Sequence, residues 1–274
     1  MLFDDEARTK LDAIIHGAAV GETVGLLASR MSEAERAEKF TPEEIHRIKI
    51  DHSQNSTSVE LLKATIAGLE CANSVECPTN LEIRIHLHQA YRDWATTSPS
   101  ASKFRNHNLV RAMTSGQLGS FTSMERAAPD GMLRIAPIGL AFAGDPGRAF
   151  LIGSEAAALA DGDFNSYLGA GVVSLIVALI VSGALLVEAV KETMDFIRPL
   201  DWPGEISEAL RRSLEPDNSN HFCRGSVSET LKSAMSAVHG ASSLIESFSN
   251  VLAAGGNSDA MCLAGQLSGC FATN

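Results

Sequence analysis

Gly255-Gly256-Asn257-Ser258-Asp259 stands between the apolar runs Val251-Leu252-Ala253-Ala254 and Ala260-Met261-Cys262-Leu263-Ala264-Gly265. A double glycine ahead of short oxygen-bearing side chains, at the threshold of a small-residue helix, is how a chain presents ligands to a hard cation or an anion. The five residues carry only one carboxylate, Asp259. They therefore raise the question of whether a cation site built on them still works.

Outside that stretch the composition points to helices. The chain has 274 residues, 45% of them hydrophobic and only 5% aromatic, with Ala, Leu, Ser and Gly dominant. That mixture suits close-packed helices better than a sandwich of β-branched strands. No internal repeat or low-complexity linker divides the chain, so residues 1–274 read as a single all-α domain.

A formal charge of −11 and the lack of any Lys/Arg stripe argue against nucleic acid and leave cations or basic proteins as the natural partners. The five cysteines, at 71, 77, 223, 262 and 270, form no CxxC pair and read as reduced, mostly buried thiols. Asp4, Asp5 and Glu6 replace the basic start of a secretory signal, so a cytoplasmic location is expected. Residues 164–187 carry no charge and are long enough to span a bilayer, but Asn165, Ser166, Ser174, Ser182 and three glycines interrupt them. A fully buried core helix gives the same pattern, so no membrane is expected.

Periodicity predicts helices over 7–30, 59–72, 81–94, 149–159, 167–186, 188–197, 227–238, 244–253 and 260–271, with shorter ones after Thr41-Pro42 and from Asn108. The segment 51–58 reads as a polar loop feeding a helix, 96–102 as a surface loop, and 117–131 as a loop rich in turn residues. Arg134 lies in an apolar run and is expected to pair with an acid on a neighbouring helix.

Four stretches, taken in order, resemble the ADP-ribosylglycohydrolase family. They are His16-Gly17-Ala18-Ala19-Val20-Gly21-Glu22-Thr23-Val24-Gly25, Leu133-Arg134-Ile135-Ala136-Pro137-Ile138-Gly139-Leu140, Ala160-Asp161-Gly162-Asp163, and Gly255-Gly256-Asn257-Ser258-Asp259 with the small-residue helix after it. The resemblance covers nearly the whole chain and implies an orthogonal multi-helix bundle with a central cleft. It also implies two magnesium ions, held in active members by a Thr-Asp-Asp run before an early helix and an Asp-x-Asp-Thr/Ser run before a late one.

In this chain the matching early run is Ser56-Thr57-Ser58, without an aspartate, and the late run is Asn257-Ser258-Asp259 followed by Ala260. One of the four implied metal carboxylates, Asp259, is present, and Ser29 stands where the register places a further glutamate. Hydroxyls and amides alone do not balance two dications, so the magnesium cofactor is expected to be absent or weakly bound. Gly131, Gly255, Gly256 and Ser258 remain candidates for receiving a diphosphate, and Asp163 is a candidate acid-base group.

The resemblance thus implies a protein that binds ADP-ribose, an ADP-ribosylated protein, or a basic partner such as a cognate ADP-ribosyltransferase toxin. The alternatives are a slow ADP-ribosyl-acceptor hydrolase and a structural protein on a reused fold.

Overall fold

Caps written in the sequence start many of the helices. Ser32 with Glu35, Thr79 with Glu82 and Ser226 with Glu229 each close a reciprocal box, in which hydroxyl and carboxylate satisfy backbone N–H groups of the first turn. Asp4, Thr41, Ser56, Asp145, Asp163, Ser243 and Asn257 cap further helices through one side-chain oxygen each.

The computed structural model describes residues 3–48, 56–75, 77–103, 108–115, 128–200, 204–215 and 225–271. Those residues form helices and turns, with no strand among them. The helices are α1 (Asp5–Ala28), α2 (Glu33–Lys39), α3 (Pro42–Arg47), α4 (Thr57–Ala72), α5 (Asn80–Thr97), α6 (Pro99–Lys103), α7 (Asn108–Ser115), α8 (Ala136–Ala141), α9 (Pro146–Ala158), α10 (Phe164–Val181), α11 (Leu186–Ile197), α12 (Gly204–Ser213), α13 (Val227–Val238), α14 (Leu244–Ala253) and α15 (Ser258–Cys270). Short 3-10 turns occupy Pro129–Arg134 and Arg198–Leu200.

The uncharged helix α10 runs through the centre, covered by α8, α9, α11, α12, α13 and α15. Its length would cross a bilayer, but most of its side chains are buried against these neighbours, as a core helix requires. Beside it, α1 and α15 lie in the closest contact of the fold. A Cβ on Gly21 would stand 2.2 Å from the Met261 carbonyl oxygen, and one on Gly25 2.4 Å from the Ser258 Cα. The two backbones touch there, and only glycine permits it.

Local expectations fail at three short helices. The segment 96–102 finishes α5 and starts α6, because Pro99 is preset for a first helical position and Ser98 Oγ accepts from Ser100 N at 3.1 Å. Helices α2 and α12 likewise arise in charged stretches without a long apolar stripe.

Arg134 is fully buried, but among the described residues no ion pair joins it to an acid on a neighbouring helix. Its guanidinium donates to the backbone carbonyls of Asp130 at 3.2 Å and Ala156 at 3.4 Å, and lies 5.2 Å from the centre of the Tyr91 ring. Carbonyl dipoles and an aromatic face thus take the role expected of a carboxylate. Of the described cysteines, Cys262 and Cys270 are buried while Cys71 and Cys77 are exposed, so the thiols divide evenly between core and surface.

Candidate functional site

The end of the α1–α15 seam is where the chain gathers its acids. Glu22 lies on α1 between the two contact glycines, and Asp259 lies in the first turn of α15. Asp130 enters from the 3-10 turn, and Ser56, Thr57 and Ser58 from the start of α4. The Ser56 and Ser58 hydroxyls face the Glu22 carboxylate, and both Glu22 and Asp130 act on Asp259 through space. Sequence reasoning missed Glu22 and Asp130. A lone acid inside a glycine stripe, and another beside the already marked Gly131, were the available signals.

The electrostatics are those of crowded carboxylates. Burial raises the Glu22 pKa, hydrogen bonding from Ser56 and then Ser58 pulls it back, and the Asp130 charge adds to the rise. Asp259 is pushed up to about 6, chiefly by burial and then by the charges of Asp130 and Glu22. Like charges held together in a partly dry site favour keeping a proton. Cys262, one turn further along α15, is fully buried and its thiol is raised well above the ordinary range by burial. It is a packing group rather than a nucleophile.

The residues marked in the sequence divide by how their polar atoms are used. Ser56 Oγ accepts from Val59 N at 3.3 Å, and Asn257 Oδ1 accepts from Ala260 N at 3.0 Å, so each caps its own helix. Ser258 packs against Gly25, which sets how closely α15 approaches α1. Gly255 takes a φ of +71°, and its N–H donates to Leu252 O at 3.1 Å while that of Gly256 donates to Val251 O at 2.8 Å. This pair closes α14 as a Schellman motif, and both N–H groups are spent on it. Gly131 is buried against Ala157.

Asp163 caps α10, its Oδ1 accepting from Asn165 N at 2.8 Å and Ser166 N at 3.2 Å. The fold thus gives it a role in starting a core helix. Ser29 sits at the exposed end of α1, its hydroxyl donating to Leu26 O at 2.8 Å. Asp51, the nearest acid before the early run, lies outside the described residues. Glu60, the nearest after it, turns to Trp94, Ser98 and Ser100. Among the described residues, no three His, Cys, Asp or Glu side chains converge closely enough to hold a metal ion.

Comparison with known proteins is consistent with this geometry. A family model described as ADP-ribosylglycohydrolase matches residues 4–272. A solved structure titled "ADP-ribosylglycohydrolase-related protein complex" superposes with a TM-score of 0.65 over 98% of this chain and 89% of the other, at 17% identity. At that identity the likeness is one of fold. No curated protein matches the chain.

Proposed function

The chain belongs to the ADP-ribosylglycohydrolase family, and from that premise we propose that it has given up binuclear magnesium catalysis and acts by binding. The ligand class is an ADP-ribosyl group or a protein partner, including a basic one such as an ADP-ribosyltransferase toxin, in the cytoplasm. Members of the family act on ADP-ribosylated substrates, which supports ADP-ribose-related binding as the ligand class.

The observation that carries the reading is the use of oxygen atoms at the two ligand runs. Thr57 and Ser58 stand where the resemblance implies carboxylates, while Ser56 Oγ and Asn257 Oδ1 are occupied in capping α4 and α15. Hydroxyls from Ser56 and Ser58 hydrogen-bond the Glu22 carboxylate and offset part of its burial cost. Two dications need several ionised carboxylates in fixed geometry. The two runs supply only Asp259, and among the described residues Glu22, Asp130 and Asp259 do not converge closely enough to hold an ion.

Titration calorimetry with Mg²⁺, Mn²⁺ and ADP-ribose tests this directly. Millimolar metal should give no heat of binding. Release of ADP-ribose from a modified arginine or serine substrate that depends on Mg²⁺ sinks the proposal. The triple change Thr57→Asp, Ser58→Asp and Asn257→Asp is expected to create measurable Mg²⁺ affinity where the native chain has none.

A second reading, slow hydrolysis of an N- or O-glycosidic bond, rests on Asp259. A carboxyl that titrates at about 6 suits general acid-base work near neutral pH. Under that reading, turnover without added metal vanishes in Asp259→Asn. Under the first there is no turnover to lose.

A further inference from the structure

Glu60 carries a set of hydrogen bonds that the site above does not use. Its Oε2 accepts from Trp94 Nε1 at 2.7 Å and from Ser98 Oγ at 2.6 Å, and its Oε1 accepts from Ser100 Oγ at 2.9 Å. All three donors lie at the corner where α5 passes into α6. The carboxylate itself belongs to the first turn of α4, two residues after Ser58.

That turn is also the arm that presents hydroxyls to Glu22. Residues two apart on a helix lie about 200° apart around its axis, so Ser58 and Glu60 grip nearly opposite sides of the turn. On the other side of the bundle α4 is tied to α1 twice. Ser56 and Ser58 meet Glu22 at one end, and Glu70 pairs with Arg8 at 3.3 Å at the other. Val59, Leu61 and Leu62 bury the apolar side of that first turn, while the polar ties to α1 hold only one of its faces, and helix ends are where backbone hydrogen bonding is incomplete.

We propose that Glu60 is a positioning residue for the candidate site. By anchoring the first turn of α4 to Trp94, Ser98 and Ser100, it holds Ser56 and Ser58 against Glu22. The inference rests on the reading of the Glu22–Ser56–Ser58 cluster as the ligand-facing site. Charge-assisted bonds of this kind are stronger than neutral ones, and a carboxylate that accepts three of them orders both partners.

The test compares Glu60→Ala with Glu60→Gln in the full chain by hydrogen exchange. Loss of the carboxylate should speed exchange of the Val59 and Glu60 amides about tenfold, on the scale of one or two such bonds. Gln keeps an acceptor for Trp94 and Ser98 and is expected to restore exchange to within about twofold of native. Ser98→Ala with Ser100→Ala provides the same loosening from the other side, should Glu60→Ala fail to fold.

A double-mutant cycle separates positioning from a plain tie between α4 and α5. If Glu60 acts through the hydroxyls on Glu22, the melting-temperature changes of Glu60→Ala and Glu22→Ala do not sum to that of the double variant. Strictly additive changes, or unchanged exchange in the α4 first turn, overturn the proposal. Both measurements use the unliganded protein. Failure of the native chain to bind ADP-ribose therefore counts against the functional reading and leaves Glu60 to be decided by the cycle.

Discussion

Two arms reach the site, and they are built by different physics. The α1–α15 seam brings Asp259 to Glu22 by removing side chains, so that backbone rests on backbone at Gly21 and Gly25. The α4–α5 pair brings Ser56 and Ser58 by adding polar contacts. Thr65 Oγ1 lies 2.8 Å from the Tyr91 hydroxyl in the buried interface, and Trp94 reaches the Glu60 carboxylate. A seam closed by sterics has no slack, because dense packing gives way only at high cost. An arm held by a few hydrogen bonds is set more gently and can be retuned one residue at a time.

The sharpest way to break the contrast is to fill the seam. Gly21→Ala should cost about 3 kcal/mol in urea unfolding, since the new methyl meets a carbonyl oxygen that belongs to the helix backbone. A cost below about 1 kcal/mol means that α1 and α15 slide apart easily.

The next effect tests the charge that the seam forces together. Asp259 has a folded pKa near 6, above its ordinary 3.8. The protonated form is thus favoured by the fold, and its contribution is full at low pH and lost as pH rises from about 4 through 6. Asp259→Asn should therefore raise stability at pH 7 by about 2 kcal/mol, which is on the order of the shift. It should also flatten the fall in melting temperature over that pH window. An unchanged pH profile means that the three acids do not share a site.

The polar arm should give smaller numbers. Tyr91→Phe removes the hydroxyl that meets Thr65, and equilibrium unfolding should show a loss of about 1 kcal/mol. The ring that faces Arg134 is kept, so a much larger loss means that the hydroxyl also orders the buried guanidinium. Ser56→Ala should cost somewhat less, about 0.5 to 1 kcal/mol, as the loss of one helix cap. It also removes a group that lowers the Glu22 pKa, so the Glu22 carboxyl should titrate higher in a carbon-detected NMR titration.

Much of the fold was legible because its signals are local. The capping oxygens, the apolar stripes and the Gly255-Gly256 turn act within a few residues, and nearly all the long helices stand where periodicity places them. Helix α6 was not legible, since Ser98 and Ser100 look like loop residues until Glu60 is seen to accept their hydrogens. The site was half legible. The runs at Ser56-Thr57-Ser58 and Asn257-Ser258-Asp259 were visible as departures from a ligand pattern, but only as vacancies to be counted. Glu22 and Asp130 are separated by more than a hundred residues, and nothing short of packing joins them.

The sequence by itself thus determined an all-α chain, its family resemblance, and which residues stand at the two runs where that resemblance implies metal carboxylates. Each follows from residue identity at short range. Tertiary structure alone decided that Glu22, Asp130 and Asp259 share one partly buried place, that Arg134 rests on carbonyls and an aromatic ring, and that the Gly255-Gly256 N–H groups close a helix. The reason is physical. Burial and the sum of nearby charges fix a carboxyl's proton and a donor's partner, and neither exists until distant segments meet.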